Sequence, residues 1–154
     1  MVGEDKDYLR LEDMLVERIK VGLPALRAVM TSMDLSSVQE ARQVEPAAHV
    51  IYIGDQIGEG HQAQGGTGGV QVVAQLWMIV LAVKFAGTPA TGKGNRRIAG
   101  PLISRLLDAL SGWQPPDRSF TKLRRINAPK VGYANGFAYY PFAFKTNLIT
   151  SGKP

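Results

Sequence analysis

One apolar segment, running from Val70 to Phe85, constrains the fold of this chain more than any other feature. Up to Gln75 the polar side chains all fall on one of the two alternating faces, and from Leu76 to Val83 both faces are apolar. This period of two, with many β-branched residues, predicts a β-strand whose first half is buried on one face and whose second half is buried on both.

The length of this strand raises a second constraint. At about 3.3 Å per residue the segment would extend roughly 53 Å, whereas a compact chain of 154 residues has a radius of gyration of about 15 Å. The strand must therefore bend or project beyond the domain. A projecting strand is typical of an arm that contacts another subunit. A central strand covered by helices on one side and a loop on the other explains the pattern equally well.

The N-terminal third predicts a helix followed by short elements. Apolar residues recur at helical spacing from Tyr8 to about Gly22, and Pro24 is expected to end this amphipathic helix. Asp34 is a good cap for a brief second helix. The segments 26–30 and 47–53 have the composition of strands.

The C-terminal half predicts a second long helix and a hairpin. Gly100 and Pro101 are expected to open the helix, because proline is tolerated in the first turn, and Gly112 to end it. Asn135-Gly136 lies between two apolar runs and predicts a tight β-hairpin, and Pro141 places its second strand at a sheet edge. We therefore expect an α+β fold, a mainly antiparallel β-sheet with two principal α-helices packed on it.

The length fits a single domain over residues 1–154. Seven glycines between Gly54 and Gly69 predict a mobile loop over about 54–69, and a second is expected over about 86–95. The longest unbroken apolar run, Leu76 to Val83, is too short for a transmembrane helix of about 20 residues. The acidic N-terminus lacks the features of a secretory signal, so we expect synthesis in the cytoplasm and no membrane partner.

Catalytic chemistry is poorly represented. The chain has no cysteine, which excludes thiolate nucleophiles and cysteine-ligated metals, and only two histidines, His49 and His61. Residues Gly87 to Lys93 match the first seven positions of a phosphate-binding loop, but Gly94 stands where a hydroxyl should hold magnesium. We therefore expect no enzyme activity, no catalytic residue, no cofactor and no metal.

Charge is distributed unevenly along the chain. Residues 1–59 hold eleven Asp/Glu against six Lys/Arg, a net charge of −5, and residues 60–154 hold two against twelve, a net charge of +10. A basic surface of this kind suits nucleic acid or the acidic face of another subunit, although a solvated surface without a partner explains it as well. The basic residues form two clusters, one of Lys93, Arg96 and Arg97 and one of Lys122, Arg124, Arg125 and Lys130 with Phe120 and Tyr133 nearby. Because aromatics interleaved with cations can hold nucleic acid, a basic nucleic-acid-binding module is one hypothesis.

The order of landmarks also resembles a known family. An N-terminal amphipathic helix precedes Pro46-Ala47-x-x-Val-Ile-Tyr52-x-Gly54-Asp55, a glycine-rich loop, and Gln75-x-Trp77 at the start of the apolar strand. A helix then ends in Leu110-x-Gly112-Trp113-x-Pro115. This layout, from about Tyr8 to Phe144, resembles the tail terminator, or tail completion, proteins of Mu-like and related tailed phages and prophages.

The resemblance implies a structural virion protein without catalytic residues. It would form a homohexameric ring that caps the tail tube, joins it to a connector or stopper protein of the head–neck complex, and contacts a sheath protein in tails that have one. Genome DNA would pass through the ring without sequence-specific binding, and the protein would reside in the tail and neck of the virion. Eight residues are our candidates for subunit or partner contacts: Gln71, Gln75, Trp77, Lys93, Arg96, Arg97, Arg124 and Arg125.

Overall fold

The computed structural model describes residues 7–40, 44–57, 70–84 and 93–151. These residues form one six-stranded sheet and three helices, which confirms the expected α+β class. In chain order the elements are α1 (Leu11–Gly22), β1 (Ala28–Thr31), α2 (Leu35–Glu40), β2 (Ala47–Ile57), β3 (Val70–Lys84), α3 (Lys93–Leu110), β4 (Arg124–Ile126), β5 (Gly132–Ala134) and β6 (Phe137–Ser151).

The apolar segment forms β3, which lies inside the sheet. The strand order is β1-β2-β3-β6-β4, with β5 also paired to β6, and only the β1–β2 pair is parallel. β3 pairs with β6 along its whole length and with β2 from Val73 to Ala82. The long strand is thus a central strand of this sheet rather than a detached arm.

Helices α1 and α3 cover one face of the sheet, which we call the helix side. The predicted stripe of Leu11, Leu15 and Ile19 on α1 is fully buried there, together with Leu106 of α3 and Trp77 of β3. The two helices approach closely where Gly22 meets Ala109, because a Cβ at Gly22 would lie 2.9 Å from the Ala109 Cβ. The main hydrophobic core therefore lies between these helices and the sheet.

A chain of hydrogen bonds fixes the start of α1 to the sheet. The buried Gln75 side chain accepts a hydrogen bond from the Trp77 indole at 3.1 Å and donates one to the Tyr8 carbonyl at 2.7 Å. The Tyr8 hydroxyl then donates to the Asp55 carboxylate at 2.6 Å. Burial and the bond to Asp55 raise the pKa of Tyr8 to about 12. We call this chain of contacts the Gln75 relay.

The Gln75 relay depends on a bulge in β2. The register of β2 against β3 shifts between Tyr52 and Gly54, so Ile53 is an extra residue. Without that extra residue the alternation of side chains would place Asp55 on the opposite face of the sheet. Gly54 has a φ of 140°, a conformation that glycine adopts without strain. The predicted mobile loop is therefore wrong for residues 54–57, which are strand, and residues 58–69 lie outside the described part.

Helix α3 begins earlier than predicted. It starts at Lys93, so Pro101 lies inside the helix rather than in its first turn, and residues 93–95 are not part of a loop. The Asn95 amide donates hydrogen bonds to the carbonyls of Val83 at 3.2 Å and Lys84 at 2.9 Å, and its oxygen accepts one from the Tyr140 hydroxyl. These tertiary contacts hold the N-terminal turns in place although Pro101 cannot donate to the Arg97 carbonyl. Residues 85–92 lie outside the described part of the chain.

The prediction that Pro141 lies on an edge strand is also wrong. The hairpin itself is confirmed, with Ala134 opposite Phe137 and positive φ angles at Asn135 and Gly136. β6, however, has β3 on one side and both β4 and β5 on the other. β5 pairs with residues 137–139 and β4 with residues 143–145. Pro141 lies between these two paired segments of β6, where neither β4 nor β5 is opposite it. The missing N–H of proline therefore removes no hydrogen bond to β4 or β5.

A short helix covers part of the opposite face. Asp34 accepts a hydrogen bond from the Ser37 amide at 2.8 Å and caps α2 as predicted. Val38 of α2 packs with Ile51, Val80 and Tyr139 in a second, smaller hydrophobic cluster.

His49 also lies within the fold and is 1% exposed. Its Nδ1 atom lies 2.9 Å from the Ser32 hydroxyl oxygen, so this buried histidine has a hydrogen-bonding partner within the fold.

We expect Gln75→Leu to destabilise the protein by roughly 2–5 kcal/mol, because the substitution leaves the buried Trp77 N–H and the Tyr8 carbonyl without partners. Urea unfolding followed by circular dichroism measures this loss. Gln71→Leu, on the same strand and face but half-buried, is the matched control. Equal losses in the two variants would contradict the role of the Gln75 relay.

We also expect stability to fall as the pH drops below about 6.5. Burial lowers the pKa of His49 in the folded state, so the unfolded chain takes up this proton at a higher pH than the folded chain does. The stabilisation is complete above the ordinary histidine pKa and decreases by up to about 1.4 kcal/mol per pH unit as the pH falls. Unfolding of wild type and His49→Gln between pH 7.5 and about 5 tests this, because the variant should lose the slope. Parallel profiles would contradict it.

Candidate subunit-contact surface

Part of the sheet face opposite α1 and α3 has no helix over it among the described residues. Helix α2 packs over Ile51, Met78, Val80, Ala82 and Tyr139, and the same face continues along the three long strands beyond that cluster. The continuation consists of Gln56 on β2, Val72, Ala74 and Leu76 on β3, and Lys145, Asn147 and Ile149 on β6. We call this surface the open face.

The open face is apolar at its centre and basic at one margin. Val72, Ala74 and Leu76 are half-buried by their strand neighbours, and Ile149, opposite Val72, is 51% exposed. Lys145 pairs with Arg124 of β4, so both cations lie at the β4 margin. A Cβ built on Gly54, which faces Leu76 across the β2–β3 pair, would meet no atom within 4 Å. Contiguous apolar surface rimmed by polar residues is typical of a protein-interaction site.

The structure places three candidate contact residues on the helix side instead. Gln75 and Trp77 are 0% exposed and take part in the Gln75 relay, and Gln71, on the same face, is half-buried. The side chains of Gln75 and Trp77 therefore form internal contacts, and neither belongs to a surface that a partner can reach in this fold.

The sequence analysis did not select the apolar residues of the open face as candidate contact residues. The polar residues of β3 suggested that their face is exposed to solvent. Gln75, however, points into the core, where the hydrogen bonds of the relay satisfy its side-chain amide. The signal that identifies the buried face lies further along the same strand, where Trp77, Ile79 and Leu81 are the larger residues. Large side chains fill the core beneath two helices, so the face that carries Val72 and Ala74 is the open one.

The four candidate arginines are exposed and distributed over two surfaces. Arg124 and Arg125 are adjacent on β4, so they point to opposite faces of the sheet, Arg124 toward Lys145 and Arg125 toward the helix side. The guanidinium of Arg125 stacks over the Phe142 ring at 5.2 Å. Arg96 and Arg97 are exposed on α3, and Lys93 is its first residue.

One residue from each basic sequence cluster lies on the helix side, Arg96 on α3 and Arg125 on β4. Burial raises the pKa of the Tyr140 phenol, nearby Tyr133 adds to the rise, and the charge of Arg96 opposes it. Asn95, which precedes Arg96 on α3, accepts a hydrogen bond from the Tyr140 hydroxyl, and Tyr133 pairs with Ala138 on the same face of β6. The next residue on that face after Tyr140 is Phe142, which lies beneath Arg125. We call the surface formed by Arg96, Arg125 and Tyr133 the basic edge. Phe120, in contrast, is 1% exposed beneath Arg10 and is not available to stack on a base.

In the described ranges no group of three or more His, Cys, Asp or Glu residues could hold a metal ion. No helix within the part of the chain that the structure describes is long and apolar enough to span a bilayer.

Comparisons with known proteins agree with the resemblance found in the sequence. The chain matches the sequence model of a family described as "Phage tail terminator protein" over residues 6–153. A chain in a solved structure titled "Virion of native gene transfer agent (GTA) particle" superposes with a TM-score of 0.54 at 13% identity. The alignment covers 90% of this chain and 94% of that chain, so the two share a fold. A search of curated proteins gave no match.

The family match spans nearly the whole chain and includes every element of the sheet and all three helices. It supports a structural role in a phage tail and makes the protein a virion component. The chain belongs to the phage tail terminator protein family.

Proposed function

We propose that this protein forms a homohexameric ring that caps the tail tube and joins it to the head–neck complex. The observation that carries the proposal is the open face, a partly apolar sheet surface that no described element of the same chain covers. Burial of such a surface between copies removes apolar area from water and favours assembly. The family match supports the tail context of this assembly.

The proposed mechanism is the capping of a polymer. One side of the ring copies the surface that a tube subunit presents to the end of the tube, and the other side lacks the docking surface for a further tube subunit. The partners are then other copies of this chain, the tail tube protein, a connector or stopper protein, and a sheath protein in tails that have one. The mechanism needs complementary surfaces rather than reacting groups, so the proposal assigns the chain no catalytic role.

The basic edge supports a second candidate function, sequence-independent contact with DNA. Arg96 of α3 and Arg125 of β4 lie on the same side of the sheet as Tyr133, which is 54% exposed. Cations beside an exposed aromatic ring fit a sugar-phosphate backbone, and phosphate contacts provide affinity without sequence preference. In a ring such a surface would contact the phosphates of the genome as it passes through. In an isolated subunit it would act as a nucleic-acid-binding module.

The double variant Leu76→Glu/Ile149→Glu tests the ring. Two carboxylates in the buried centre of the contact should weaken it by about 2 kcal/mol or more. Native mass spectrometry over a concentration series should show a species at six times the monomer mass for wild type and its loss in the variant. Ile98→Glu, at a 46% exposed position on α3, is the control. A folded variant that still forms rings and terminates tails at normal length would contradict the proposal.

DNA binding is tested by the salt dependence of affinity for duplex DNA of random sequence. Arg96→Ala and Arg125→Ala should each weaken binding and reduce the slope of log K against log salt by about 1. Arg124→Ala is the matched control, because it removes the neighbouring arginine on the opposite face of β4. Binding that is independent of salt, or an equal effect of Arg124→Ala, would rule out the basic edge as the DNA-binding surface.

A further inference from the structure

A groove on the outer side of α1 has the features expected of a receptor for the open face. It lies between α1 and the corner that follows α3, has a volume of about 460 Å³, and is lined by Asp13, Met14, Glu17, Arg18, Val21, Trp113 and Pro116. Val21 is 74% exposed although it is apolar. We call this feature the α1 groove.

Contacts within the chain hold the α1 groove in shape. The Arg18 guanidinium donates a hydrogen bond to the Ala109 carbonyl at 2.8 Å and stacks over the Trp113 ring at 5.5 Å. An ion pair between Arg10 and Asp117, at 2.5 Å, fixes the corner to the start of α1. The groove is thus built from ordered groups, which lowers the entropic cost of binding a partner.

The α1 groove and the open face are complementary in chemistry. The groove combines an apolar floor with the exposed carboxylates of Asp13 and Glu17, which lie one turn apart on the outer stripe of α1. The open face combines an apolar centre with Lys145 and Arg124 at its margin, and none of its described residues is acidic. Lys20 lies 3.9 Å from Glu17 on the surface, a weak exposed pair that leaves the acidic stripe available.

The placement of the two surfaces favours contact between successive copies. The open face lies on one side of the sheet, and α1 with its groove lies on the other. When two different surfaces of one chain bind each other, the contact is heterologous and repeats from copy to copy, and it forms a ring when the rotation between copies closes. We propose that the open face of one subunit docks into the α1 groove of the next, an inference that rests on the proposed ring.

Cysteine cross-linking tests this contact directly, because the chain has no cysteine of its own. Val21→Cys labels the α1 groove and Ile149→Cys labels the open face, and one of the two variants carries a tag that separates the heterodimer from both homodimers by mass. The mixture, treated with a short bis-maleimide, should give a heterodimer yield several times that of a control mixture. The control replaces Val21→Cys by Met33→Cys, since Met33 is 79% exposed and lies outside the groove.

Charge reversal adds a readout that does not depend on cysteine geometry. Asp13→Lys/Glu17→Lys in the groove partner should reduce the heterodimer yield to the control level. Arg124→Glu/Lys145→Glu in the open-face partner should restore it. Circular dichroism of each variant verifies the fold, and failure of restoration in folded variants would overturn the assigned pairing.

Native mass spectra of the wild type recorded in parallel separate this inference from the proposed function. Rings together with a heterodimer yield above the control support both. Rings with a yield no higher than the control overturn the pairing of open face and α1 groove and leave the ring standing. A strict monomer with a yield at the control level overturns the pairing together with the self-assembled ring.

Discussion

The Gln75 relay is the interaction on which the arrangement of surfaces depends. A buried amide must be satisfied, and Gln75 meets this requirement by bonding to the Trp77 indole and to the carbonyl of Tyr8 ahead of α1. The relay therefore determines which face of β3 carries α1. Because side chains alternate along the strand, Val72, Ala74 and Leu76 then lie on the other face, without a helix over them among the described residues.

The lengths of the elements explain why the second face is only partly covered. Helix α2 has six residues and extends about 9 Å, whereas β3 has fifteen residues and extends about 50 Å. Helices α1 and α3 are longer, with twelve and eighteen residues, but both pack on the helix side of the sheet. No packing of α2 alone could bury the whole length of the β2-β3-β6 surface, so the open face follows from this allocation of helices.

Local patterns in the sequence predicted most of the elements, and tertiary contacts account for the errors. The stripe on α1, the Asp34 cap and the Asn135-Gly136 turn act within a few residues, and each was predicted correctly. The start of α3 depends instead on Asn95 reaching the end of β3, and the place of Pro141 depends on a gap between two short strands. The burial of two candidate contact residues, Gln75 and Trp77, has the same origin, because the hydrogen bond that turns Gln75 inward is made to Tyr8, far away in the sequence.

The sheet edges add a further constraint on how copies can meet. β1 has four residues and β4 has three, and β4 carries two exposed arginines. Short edge strands with charged side chains disfavour pairing of one sheet edge with another, which would otherwise extend without limit. The bulge between Tyr52 and Gly54 similarly disturbs β2 beyond the end of β1. Copies can still meet through sheet faces and grooves. Contacts of this kind can form a closed assembly of defined size, which the capping of a polymer requires.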